Sequence, residues 1–131
     1  MSMTKTTIDN GSVELEGGEF RDELITFAGT DTFAAGTILA RDSSTLKLVL
    51  FVKGGVTNGN GIPKAVLTYP VSRTGAGDVK GRVLIAGKVN KNRLIIDADG
   101  NDSNIDGAVI DQLRDYGIDP VDVQQLGALD N

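Results

Sequence analysis

The chain has 131 residues, 18 Asp and Glu against 13 Lys and Arg, a formal charge of −5, and neither His nor Cys. These counts exclude disulfide staples, thiol and imidazole chemistry and the usual zinc ligands, and a pI near 4.6 is the opposite of what a nucleic-acid surface needs. Hydrophobic residues make up 40% without a single Trp, so a domain of this length needs a core of Val, Leu and Ile, and 17 glycines imply many turns between short strands.

In chain order, residues 1–26 read as a flexible acidic arm. Asp9, Glu14, Glu16, Glu19, Asp22 and Glu23 lie among glycines, with too few apolar residues to offset the entropy of ordering them. Val13 and Leu15 alternate with Glu14 and Glu16, the weak strand pattern of a segment that pairs with another chain. The stretch MSMTKTTIDNGSVELEGGEF lacks the apolar centre of a signal peptide. No apolar run approaches the roughly 20 residues of a membrane span. The expectation is a soluble protein made in a cytoplasm, with no membrane and no nucleic-acid partner.

From Phe27 the pattern becomes β-rich. Thr37 to Ala40 reads as a short strand, Asp42-Ser43-Ser44 as a turn, and Leu46 to Val52 as the most continuous β run. Gly54-Gly55 ends that run, and VTNGNG over 56–61 is the most turn-like segment. Ala65 to Tyr69 reads as a further strand, with Pro70 at its exit, and 72–78 as a flexible loop. GRVLIAGKVNKNRL, 81–94, reads as the centre of the fold: two apolar runs joined by Asn90-Lys91-Asn92 into a hairpin. Gly87 within it marks a bulge or a close backbone approach. After the polar loop 97–102, Ser103 and Asp106 suggest a capping box, and Ile105, Val109, Leu113 and Tyr116 recur at helical spacing before Gly117 stops the helix. Asp119-Pro120 looks like the cap and first turn of a second helix ending near Gly127. The fold class is therefore mainly β with a minor C-terminal helix, an α+β arrangement. The expected divisions are an arm at 1–26, a β-rich domain at 27–118, and a short helix and tail at 119–131.

Reactive chemistry is scarce. A calcium loop starting at Asp97 needs Gly at its sixth position and Glu at its twelfth, where this chain has Asp102 and Ala108. Gly75-Ala76-Gly77 and Gly59-Asn60-Gly61 lack the following helix, or the Ser or Thr after lysine, that a phosphate cradle requires. Asp97 and Asp99 are the nearest carboxylate pair, but a Gly/Asn-rich loop brings carboxylates together without catalysis. The reading is a non-enzyme without metal or cofactor. A small ligand- or carbohydrate-binding β domain, with loops 56–61 and 72–78 as its edge, is the alternative, and the scarcity of aromatic faces weighs against it.

The order of four segments carries a more specific reading. AAGTILARDSSTLKL, IPKAVLTYPV, GDVKGRVLIAGKVNKNRL and IDGAVIDQLRDYGI follow one another in a way that resembles the head decoration proteins of tailed bacteriophages, the family of the phage lambda decoration protein. The matching positions are Gly36 before Ile38-Leu39, Ala65 and Leu67 after a glycine-rich loop, Gly87 with Val89, and Gly117-Ile118 closing a helix. The resemblance covers about 27–118, and the acidic arm and the tail depart from it. It implies a compact β-clip-like fold and a structural cement protein. On that reading homotrimers bind the major capsid protein on the outside of the expanded head and reinforce it against the pressure of packaged DNA. Applied to this chain, it places capsid binding in the arm, with Phe20, Leu24, Ile25 and Phe27 as anchors.

Overall fold

The computed structural model describes residues 14–121. In chain order these form β1 (Glu14–Phe27), β2 (Asp31–Phe33), β3 (Ile38–Arg41), β4 (Leu48–Leu50), β5 (Pro63–Leu67), β6 (Val71–Arg73) and β7 (Gly77–Asn90). A 3-10 turn (Lys91–Arg93), helix α1 (Gly107–Asp115) and β8 (Ile118–Val121) follow. The described residues are mainly β with one short α-helix towards their C-terminal end, as the strand patterns of the sequence imply.

Strands β1, β4, β3, β5 and β7 are neighbours in that order, and β1 also pairs with β7, so the five close into a small ring. Closure leaves few edges open to stray pairing. The long strand β7 organises the ring. One edge runs antiparallel to β1 from Gly77 to Val89; the other serves β5 at Val83 and Leu84 and then β8, in parallel, from Gly87 to Asn90. β2 and β6 form a separate antiparallel pair.

Side-chain alternation divides the core into two layers. Ile25, Phe27, Leu39, Leu48, Ala65, Leu67 and Val83 come from all five ring strands and form the interior, joined by Phe33 of β2, whose ring stacks on Phe27 at 4.1 Å. Their strand neighbours Ile38, Ala40, Val66 and Leu84 point outwards and pack with Leu94, Ile96, Ile105, and Val109 and Leu113 of α1. Both faces of β3 and β5 are thus buried, which explains why these strands read as continuous apolar runs. Gly81 is buried where β7 crosses the interior; a Cβ there would lie 2.7 Å from Ile25 Cδ1.

Several expectations need correction. Residues 81–94 do not form a hairpin. β1 and β8 already occupy both edges of β7 near its end, so Leu94 to Ile96 have no edge to pair with; Ile95 instead bridges to Thr37 in parallel. The polar turn between them is a 3-10 turn, with the Asn90 side chain accepting a bond from the Asn92 N–H. The run from Leu46 to Val52 keeps only Leu48–Leu50 as strand. Asp106, not Ser103, caps α1, accepting from the Val109 N–H at 3.1 Å. Asp119-Pro120 lies in β8 rather than starting a helix: Pro120 sits opposite Val89 on the last strand of the sheet, where a missing N–H is tolerated. The proposed helix end near Gly127 lies outside the described residues.

Two glycine readings hold. Between the pairs Glu16↔Lys88 and Glu19↔Ala86, Gly17 and Gly18 oppose Gly87 alone, so Gly87 (φ +123°) sits at a bulge. Its N–H donates to the Gly117 carbonyl at 2.9 Å, and Gly117 (φ +89°) ends α1 in the left-handed region.

Candidate functional site

β1 is built differently on its two edges. Towards β7 it has registered partners from Glu14 to Phe27; on the other edge, among the described residues, it pairs only with β4, at Ile25↔Leu48. The strand from Glu14 to Leu24 therefore offers one row of backbone donors and acceptors without a strand partner among the described residues. Residues 14–26, expected as part of a flexible arm, are placed in the sheet because β7 supplies backbone partners that the apolar content of the segment would not predict. The first part of the arm, 1–13, lies outside the described residues, as do 122–131 of the tail.

The four candidate anchors on this strand part ways. Ile25 and Phe27 are fully buried in the ring interior, where they hold the fold and have no surface to offer a partner. Phe20 packs against the outer layer, and Arg82 covers its ring at 4.9 Å. Leu24 alone is an exposed aliphatic side chain, at 43%. Around it the surface is charged: Glu19, Arg21 and Asp22 are exposed.

Two ion pairs tie β1 and β7 to the strand line beyond the free edge. Glu23 accepts both Nη1 and Nη2 of Arg41, each at 2.8 Å, and this hydrogen-bonded guanidinium holds the Glu23 carboxyl below its ordinary range against the opposing effect of partial burial. Asp78, opposite Thr26, accepts from Lys47 at 2.6 Å and from the Thr26 hydroxyl at 2.9 Å, which lowers its pKa. Arg41 Nη1 also reaches the Leu46 carbonyl at 2.9 Å. Leu46 itself, which sequence reasoning assigned to a strand, is 66% exposed with φ +64°. Its backbone is set by the turn that Asp42 begins, just before an apolar run that reads as strand.

The other candidates are brought partly together. Thr57 and Asn60 of the 56–61 loop line one cleft. Ser72 and Arg73, expected in a loop at 72–78 but placed in β6 by pairing with β2, line a second with Thr74 of the short 74–76 turn, and both clefts share Thr30 and Asp31. The first cleft has an apolar floor of Val49, Leu50 and buried Phe33, without an exposed aromatic face for a sugar. Asp97 is partly buried, and desolvation first, then the charge of Asp31, raise its pKa. Among the described residues no group of three or more carboxylates is placed to hold a metal ion.

Residues 10–118 match the model of a protein family described as bacteriophage lambda head decoration protein D. No curated protein matches the chain.

Proposed function

We propose a mechanism from one premise: the chain belongs to the bacteriophage lambda head decoration protein family, structural proteins of the virion on the outer surface of the capsid. It binds the expanded head as a homotrimer, contacts the major capsid protein through its N-terminal segment and β1, and stabilises the shell against the pressure of packaged DNA.

The observation that carries this reading is the two-edged character of β1. A strand secured along β7 and, among the described residues, without a strand partner on its other edge from Glu14 to Leu24 is a template on which an extended segment of a capsid subunit can add by backbone pairing. A ligand that binds only the expanded shell shifts the equilibrium towards that shell. Three such edges on one trimer raise the effective concentration of the second and third contacts, so weak pairings hold together. Self-association has separate support: Val52, Val56 and Ile62 are exposed aliphatic residues on the single segment between β4 and β5.

The test follows from where β1 starts. Deleting residues 1–13 leaves every described strand of the ring in the chain, so the variant should keep its circular dichroism, melting temperature and solution mass while losing most of its co-sedimentation with expanded heads. A truncated protein that still decorates heads as the full chain does would remove the N-terminal segment from the mechanism.

A further inference from the structure

Among the described residues only Leu46 and Asn58 have positive φ without being glycine. Asn tolerates the left-handed region because its short polar side chain bonds locally; leucine does not. The conformation of Leu46 is nonetheless imposed by its surroundings. Its N–H donates to the Asp42 carbonyl at 2.8 Å, and its own carbonyl accepts from Arg41 at 2.9 Å. The Asp42 carboxylate fixes the rest of the turn, accepting from the Ser44 and Thr45 N–H groups at 2.8 and 3.0 Å. The leucine side chain gains little in return from the fold, since it is 66% exposed and belongs to neither core layer. Gly or Asn would suit the backbone better, so the folded protein by itself gives no reason for an aliphatic residue.

The position supplies one. Leu46 precedes by two residues the single pair, Ile25↔Leu48, at which β4 joins β1, and Arg41 bonds both the Leu46 carbonyl and Glu23 of β1. It therefore stands where the free edge of β1 begins, near exposed Leu24. We infer that Leu46 is an apolar anchor of the capsid contact, seated in a hollow of the capsid subunit whose segment pairs with the free edge of β1. This rests on the reading given under Proposed function. The occupant is the capsid rather than a second copy of this chain because Leu46 stands beside the Glu23–Arg41 ion pair, at the start of the edge assigned to the capsid, and a charged surround suits a contact made by an already folded protein. The more apolar loop of Val52, Val56 and Ile62, with Val56 95% exposed, suits a permanent self-contact.

The full-length chain and its Leu46→Gly and Leu46→Asn variants would be titrated onto purified expanded heads, with melting temperature and solution mass measured in parallel. Both substitutions fit the left-handed backbone, so folding and mass should be retained, while head affinity falls at least about tenfold, the effect of losing one buried anchor. Wild-type affinity in both variants would overturn the inference. So would a change in solution mass, which would assign Leu46 to the self-contact. Failure of the unsubstituted chain to bind heads would sink the capsid reading itself, and the anchor with it.

Discussion

Burial works against Asp97. Desolvation and the nearby Asp31 raise its pKa, so the folded state binds this proton more tightly than the unfolded state does. The stability it contributes is present below the ordinary aspartate value of about 3.9 and is lost as pH rises through the raised folded value. Asp97→Asn should therefore raise the melting temperature at neutral pH, with the gain vanishing in acid; a lower melting temperature at neutral pH would contradict this. Glu23 has the opposite sign. Its lowered pKa means that its stabilisation is present above the ordinary glutamate value of about 4.3 and is lost as pH falls through the folded value. Arg41→Ala should cost about 1 kcal/mol in denaturant unfolding, towards the low end for a charged hydrogen-bonded pair because solvent reaches the guanidinium. Gly81→Ala should cost about 1–3 kcal/mol, since the new methyl meets Ile25 in a filled interior. At this scale the sequence was legible in part. The alternation Leu24-Ile25-Thr26-Phe27 already separates two buried side chains from two facing out, yet all the apolar members read equally well as anchors until the ring closed over Ile25 and Phe27. Leu46 was not legible, because the apolar run from Leu46 to Val52 reads as one strand, while the Asp42 turn and Arg41 hold Leu46 in the left-handed region before the strand starts.

Among the elements, β7 and α1 do the organising. The apolar runs of β3, β5 and β7 and the helical spacing of Val109 and Leu113 were readable because burial repeats with the period of the backbone. What was not readable was competition for edges. Leu94 to Ile96 has a strand's composition but is no ladder strand, because β7 had no edge left for it, and Asp119-Pro120 has a helix start's composition but found one beside Val89. Gly117 joins these two levels, ending α1 with φ +89° and accepting the Gly87 N–H that positions β8 against β7. Gly117→Ala should destabilise by about 1–2 kcal/mol in denaturant unfolding through backbone strain alone, since the added Cβ would meet only Ala86 at an ordinary 3.6 Å. An unchanged midpoint would mean that the α1–β8 turn relaxes without loss.

For the whole molecule, the ring accounts for how a chain without Cys, His or Trp supports an outer-surface protein: two apolar layers share the strands β3, β5 and β7, and the five ring strands close on one another. Among the described residues β1 keeps an unpaired row of backbone from Glu14 to Leu24, which ends at exposed Leu24 and close to Leu46. Family membership makes the chain a head decoration protein, and this open edge is where we place the capsid. The most direct measurement is quantitative co-sedimentation of the full-length protein with purified heads before and after expansion. Saturable binding to expanded heads, with little or none to unexpanded ones, is the predicted result; equal binding to both forms, or none to either, would contradict it.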